Sequence, residues 1–394
     1  MNFFHTIYFS YLRLMNKTVI HQISMTGIGG VQQSFLAYFN KALRCSTFKH
    51  VVYGMHHIDD YYDEVAQWYI NINASLVNKI KFLYCLHSRQ HIVHFYNNIG
   101  SKKIHQLLQI FPSSNVIFHE RGTIWNAKEK DRDAYQYNAS KARIVLANSQ
   151  ATKTMLIQRF GIEKDKIQVI YNGFLPDKQS VDCKEIKRYA EKFSIGYIGR
   201  LDTPKGVHIL IKAARKLVRY NFYIAGDGAW KNALVELAKE CDNVYFIGRV
   251  KEPLKFIEKM DLIVVPSIRE PLGNTIIEAG FCKKPVIASN VDGIPEIIEN
   301  GVNGILLTPN QELSISDLPI GAVPIPMFVI DHKGQLQKPK EIDSTDLAKS
   351  ITQLEKNPSQ REELGVNLFA TVKSKFTIEQ YSHSLEQIYS QLDN

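Results

Sequence analysis

Long apolar runs are missing from this 394-residue chain. None reaches the roughly 18 residues that a membrane-spanning helix needs, so no helical span is expected. Cysteine is scarce: Cys45, Cys85, Cys183, Cys241 and Cys282 are scattered without CxxC spacing. That excludes a structural zinc and a disulfide framework, and it points to reduced thiols in a cytosolic compartment. The glycine turn in TGIGGVQQSFL lacks the third glycine of GxGxxG, its place being held by Gln32; a nicotinamide-dependent dehydrogenase is thereby excluded. A second cluster of oxygen ligands is also absent. Asp131-Arg132-Asp133 lies in the polar run KEKDRDAY, away from any strand end, and reads as a solvated helical face, so no catalytic metal is expected. The opening MNFFHTIYFSYLRLMNK has no small-residue cleavage site and is not expected to be a secretory signal. Its first fourteen residues read as an upstream start, with Met15 as the natural one, or as an interfacial anchor. Acidic residues are thin in the first half only: residues 1–175 hold 20 Lys and Arg against 10 Asp and Glu, residues 176–394 hold 28 against 29, and the whole carries +9.

What is present is an alternation of short β-branched runs with longer helical ones, the pattern of βα units and parallel sheets. In the first half TVIHQIS, HVVYGM, HIVHFY, NVIFHE, ARIVLANS and IQVIYNG read as strands. In the second half FSIGYIGR, FYIAGDG, VYFIGRV, DLIVVPS and KPVIAS read likewise. The expected fold class is α/β, with two doubly wound, Rossmann-like domains and a cleft between them. The boundaries expected are 1–175 for the first domain, a polar, proline-led linker at 176–192, and 193–373 for the second domain. An insertion at 310–344 carries a strand-like PMFVID, and an amphipathic helix occupies 374–394.

The chemistry concentrates in SIREPLGNTIIEAGFCKKPVIASNVDGIPEIIENGVNG, residues 267–304. Gly273-Asn274-Thr275 is a turn of small residues opening into a periodic segment, the device that aims backbone N–H groups and a helix dipole at phosphate. Glu270 before the turn and Glu278 inside the helix then serve hydroxyls at the two ends of a sugar nucleotide. GYIGRLDTPKG places Arg200 at a strand end and Lys205 in the following loop, two cations suited to a diphosphate leaving group. His119 ends the strand in NVIFHERGTIW, the end where open α/β sheets bind ligands. His94 is a weaker candidate, since its strand pattern is common in cores.

These segments resemble the retaining glycosyltransferases of family 4, with their two-domain B-type fold. EPLGNTIIEAGFCKKPVI followed by DGIPE is similar to that family's Glu-x7-Glu motif and GGxxE, with Leu272 for the usual aromatic and Asp292 for the first glycine. GRLDTPKG is similar to its donor-phosphate motif, and the turn at Gly27, Gly29 and Gly30 to its GGxE loop, with Gln32 in place of Glu. The resemblance implies that Glu278 holds the ribose and Glu270 the sugar, and that Arg200, Lys205, Gly273, Asn274 and Thr275 hold the diphosphate. It further implies that Gly29 and Gly30 approach the donor phosphate, that His119 touches the transferred sugar, and that loops 226–228 and 246–250 meet the base. The C-terminal helix is implied to cross back onto the first domain.

The expected function is therefore retaining, metal-independent transfer of a sugar from a UDP- or GDP-sugar to a saccharide acceptor, lipid-linked, in lipopolysaccharide or other envelope glycan synthesis. The rivals are a sugar-nucleotide epimerase and a nonenzymatic sugar-nucleotide-binding protein on the same fold. No cofactor and no nucleic-acid partner is expected. The basic first half, and the mixture of Lys79, Lys81 and Arg89 with Phe82, Leu83 and Tyr84, imply a cytoplasmic protein peripheral on an anionic membrane face.

Overall fold

The computed structural model describes residues 18–27, 29–112, 115–176, 192–313 and 325–393. The expected anchor before Met15, almost all of the expected linker and residues 314–324 of the insertion lie outside them. The chain divides into two units, one gathering residues up to Asn148, Leu156–Gly173 and everything from Ile378, the other Ser149–Met155 and Phe174–Thr377.

The first unit is built on a seven-stranded sheet of β1 (Thr18–Gln22), β2 (Lys49–Gly54), β3 (Tyr69–Asn71), β4 (His91–Tyr96), β5 (Val116–Glu120), β6 (Ile144–Ala147) and β7 (Ile167–Val169). The strands run parallel in the order β3-β2-β1-β4-β5-β6-β7. Strands β1, β4 and β5 are buried along their whole length, as parallel strands covered on both faces must be. Helix α1 (Gly30–Cys45) contributes Phe35, Tyr38 and Phe39 to the core.

Side chains two apart on a strand share a face, and the register brings His21 opposite His94 and Tyr96 opposite His119. These rings gather into one buried cluster. His21 Nε2 lies 2.9 Å from His50 Nδ1, and His94 stacks on both Tyr96 and His119.

The second unit has six parallel strands, β8 (Ser194–Ile198), β9 (Asn221–Ala225), β10 (Val244–Gly248), β11 (Leu262–Val265), β12 (Val286–Ser289) and β13 (Ile305–Leu307), in the order β10-β9-β8-β11-β12-β13. Helices α3 (Val207–Ala214) and α4 (Asn274–Phe281) follow β8 and β11. Of the strands in these two parallel sheets, β3 and β13 were not foreseen. Both are three residues long and lie at a sheet edge, too short for a periodic signal.

In the insertion β14 (Gln311–Glu312) pairs antiparallel with β17 (Lys340–Glu341). Between them β15 (Val329–Ile330) pairs antiparallel with β16 (Leu336–Gln337). The strand expected over PMFVID shrinks to two residues, because Asp331 at once turns the chain: its Oδ1 accepts from Lys333 N and Gln335 N, each at 2.9 Å.

Helix α5 (Ile378–Asp393) belongs to the first unit. Its buried positions Ile378, Tyr381, Leu385, Ile388 and Tyr389 recur at helical spacing and join the core of α1 and the sheet. Tyr389 Oη sits 2.7 Å from His94 Nδ1, so the helix also closes the ring cluster.

Candidate active site

An open α/β sheet binds ligands beyond the carboxyl ends of its strands, at the point where strand order reverses. In the second sheet that point lies between β8 and β11, paired in the sheet though distant in sequence. The loop after β8 carries Arg200 and Lys205, and the loop after β11 carries Glu270. Lys205 Nζ lies 2.6 Å from Glu270 Oε2, which also accepts from Ser267 Oγ at 3.2 Å. The two loops are laced by backbone as well, Ile268 N and Arg269 N both donating to Pro204 O at 2.9 and 3.1 Å. Gly206 permits this approach: at φ +68 it sits where a Cβ would fall 1.9 Å from Pro266 O.

Lys205 and Glu270, expected at different parts of a donor, are thus one ion pair. Arg200 stands apart from it, two-thirds exposed, with Nη1 2.9 Å from Asp202 Oδ2.

Gly273 caps α4 at φ +114, a conformation open to glycine. Its carbonyl accepts from Ile276 N and Ile277 N at 3.0 and 3.3 Å, leaving the half-buried Asn274 and Thr275 to form the lip of the helix. Thr275 Oγ1 donates to Ile198 O at 3.2 Å and so ties this lip to the end of β8. The first turn of α4 holds no acidic residue, so nothing there opposes an anion at its positive end. One turn further on, Glu278 is largely shielded, and desolvation pushes its carboxyl up to about 7. No hydrogen bond or ion pair reaches that carboxylate among the described residues.

Asp292 was noted in the sequence only as a replacement for a glycine and was given no role. It is buried at φ +50, a left-handed conformation that explains why a glycine suits the place and that Asp adopts more readily than most residues. Nothing in the sequence signalled the partners of its carboxylate: Glu270 N at 2.9 Å and Ile330 N at 2.7 Å.

Residues 226–228 follow β9, but of the loop expected at 246–250 the first three residues are the end of strand β10 itself, because the sheet pairing runs on to Gly248; Gly226 N donates to Gly248 O at 2.7 Å, and Leu201 N, after β8, to Asp227 O at 3.0 Å.

In the first unit Gly29 is the N-cap of α1 and Gly30 its first residue, with no side chain capping the helix. Gln32 turns back to donate to Ser24 O at 3.2 Å. His119 lies on β5 at 1% exposure, enclosed by His94, Tyr96 and Tyr381, and neither ring nitrogen has a partner. Burial, then the nearby Arg121 cation, holds its pKa well below the usual histidine range. The strand's inward face, covered by α5, explains this enclosure. Glu120 is spent on the loop, its Oε1 accepting from Gly122 N, Thr123 N and Ile124 N at 2.9, 2.6 and 3.1 Å. Arg121, another residue passed over in the sequence, donates to Val31 O at 3.3 Å and Asn172 Oδ1 at 2.8 Å, joining α1 to the segment after β7.

Asp131 Oδ2 accepts from Lys128 N at 3.1 Å, a local cap. Among the described residues no three His, Cys, Asp or Glu side chains are grouped to hold a metal ion, and no helix is long and apolar enough to cross a membrane. In helix α2 (Leu76–His87) the expected mixture is altered: Phe82 turns inward, and the exposed apolar side chains are Leu76, Val77 and Ile80 beside Lys79.

Residues 61–178 match the family described as Glycosyltransferase Family 4, and residues 192–317 the family described as Glycosyl transferases group 1. The chain is 33% identical over 189 residues to an uncharacterized glycosyltransferase of Methanocaldococcus jannaschii, a match covering 44% of this chain and 48% of that one. It is 27% identical over 263 residues to a capsular polysaccharide biosynthesis glycosyltransferase of Staphylococcus aureus, covering 62% and 61%. The chain thus spans about half to three-fifths of the length of these curated relatives. The crystal structure of Anabaena HepE in complex with UDP-glucose superposes with a TM-score of 0.72 at 19% identity, over 95% of this chain and 99% of that one. That likeness establishes the fold.

Proposed function

We propose that this chain, a member of the family 4 and group 1 glycosyltransferases, moves a sugar from a nucleoside diphosphate sugar onto a saccharide acceptor in envelope glycan synthesis. The observation that carries the reading is the Lys205–Glu270 pair at the switch point of the second sheet, next to the uncapped lip of α4. In this reading the lip and Lys205 take the diphosphate, and Arg200, exposed and flexible in reach, closes on it. Lys205 then leaves Glu270, whose carboxylate accepts from the sugar hydroxyls. Negative charge grows on the leaving phosphate as the glycosidic bond breaks, and fixed cations stabilise it more in the transition state than in the ground state. No carboxylate is assigned as a covalent nucleophile. The leaving phosphate accepts the proton of the attacking hydroxyl on the same face, which retains configuration at the sugar.

His119, expected to steady the transferred sugar, is 1% exposed behind His94, Tyr96 and Tyr381, so it meets a sugar only where these rings move aside; its two unmatched ring nitrogens are what it then offers. The transfer is read as metal-independent, with excess chelator leaving its rate unchanged. The acceptor is read as lipid-linked and met at an anionic cytoplasmic membrane face, supported by the basic first half and by the exposed Leu76, Val77 and Ile80 beside Lys79.

The test is a thermal-shift screen of UDP- and GDP-sugars followed by a transfer assay with the donor that binds. A nucleotide sugar at 100 times its dissociation constant stabilises by about 2.7 kcal/mol. Turnover of donor without any acceptor would favour an epimerase, and binding without turnover of any kind a sensor.

A further inference from the structure

The insertion has no part in the reading above, yet it is tied to the segments that carry the ion pair, through Asp292 to Glu270 and through His208 to the helix after Lys205. Asp292 makes the first attachment. Its Oδ2 accepts from Glu270 N at 2.9 Å and its Oδ1 from Ile330 N at 2.7 Å, while its own N–H donates to Ile330 O at 2.8 Å. Gly293 N adds a bond to Glu270 O at 3.1 Å, so both backbone groups of Glu270 are held from this turn. Glu341 makes the second attachment: its Oε2 lies 2.6 Å from His208 Nε2, on the helix that starts immediately after Lys205 and Gly206. Asp292 is 5% exposed, Glu270 8%, Val329 1% and Ile330 3%. Water cannot readily replace a carboxylate that satisfies two buried N–H groups at once.

We propose that Asp292 is a positioning residue for Glu270, and that through it the β15–β16 segment of the insertion is a working part of the donor site. The proposal rests on the role given to Glu270 above. One carboxylate bridges the loop of Glu270 and the strand of Ile330, so the direction of the Glu270 side chain depends on where the insertion sits. Without the bridge the loop keeps Lys205 within reach but loses the fixed approach to the sugar, and a misplacement of about 1 Å is enough to cost a rate about 100-fold.

Asp292→Gly is the informative variant, because glycine keeps φ +50 without strain and removes only the carboxylate. With the nucleotide sugar that the wild type turns over, its kcat should fall about 30-fold or more, and the affinity for the corresponding free UDP or GDP should stay within about twofold. Asp292→Asn keeps one acceptor and should recover part of the rate. Asp292→Gly turning over within about twofold of wild type, while Glu270→Gln loses activity, overturns the proposal. Glu270→Gln behaving as wild type overturns instead the role of Glu270 on which it rests. Should the glycine variant fail to bind nucleotide, the asparagine variant decides: a reduced kcat with nucleotide affinity kept supports the bridge, and a wild-type kcat removes it.

Discussion

Glu278 holds a carboxylate where folding alone would not choose one. Unfolded, a glutamate titrates near 4.3, whereas here burial raises it to about 7. Between those values the folded state binds more protons than the unfolded state, so stability falls as pH rises through the window and the loss is complete above 7. The cost is at most about 4 kcal/mol, and less where water still reaches the group. Glu278→Gln should therefore melt above the wild type at pH 8 without ligand, and level with it near pH 4.5. The same variant should bind free nucleotide more weakly by about 1.5–3 kcal/mol at pH 8, because the ribose loses a charged acceptor. Wild-type affinity should rise with pH through 7 and the variant's should not; titration calorimetry at several pH values reads both. His119 calls for a different exchange. His119→Phe fills the site and removes two unmatched nitrogens, so it should fold at least as stably as wild type while transfer falls about 100-fold, which circular dichroism and the transfer assay separate. Neither behaviour was legible from residue type: both side chains stood in recognisable motifs, but their burial depends on α5 for His119 and on packing around α4 for Glu278.

At the scale of elements, the central strands announced themselves because parallel strands covered on both faces read as continuous apolar runs. NVIFHE and DLIVVPS are such runs and coincide with β5 and β11. The edge strands β3 and β13 carry only three residues each and no such pattern. Motif spacing likewise singled out the loops after β8 and β11 without revealing that Lys205 and Glu270 touch, since adjacency of β8 and β11 is a property of the sheet. Helix α2 shows the same limit: its sequence mixes charged and apolar residues, but only the fold decides that Phe82 is inside and Leu76, Val77 and Ile80 outside. Exposed aliphatic side chains next to a lysine suit an anionic bilayer, where each basic residue near the surface adds about 1 kcal/mol. The full chain should sediment with anionic vesicles and not with neutral ones, and Leu76→Ser with Ile80→Ser should weaken that retention while leaving nucleotide binding intact.

Across the whole molecule, the two units should answer acid with opposite signs. Burial holds His21, His94 and His119 well below the usual histidine range, and His50 at about 4. Below pH 6.5 the unfolded chain takes up protons that these folded histidines refuse, so the first unit loses stability as pH falls, by about 1.4 kcal/mol per pH unit for each proton. In the second unit Glu278 adds stability over the same fall from 7 toward 4.5. Scanning calorimetry between pH 7 and 5 should show two transitions drawing apart, the one that responds to nucleotide holding or rising and the other dropping.

Helix α5 gives the chain an unusual order of manufacture. The strands of the first sheet leave the ribosome first, but the helix that covers their histidine and tyrosine rings is translated only after all of the second unit. Throughout that interval Phe35, Tyr38 and the cluster of rings have no lid, and the second sheet has everything it needs. The half made first is thus the half finished last, and a nascent chain halted before Ile378 offers chaperones an open aromatic face while its second unit is already complete.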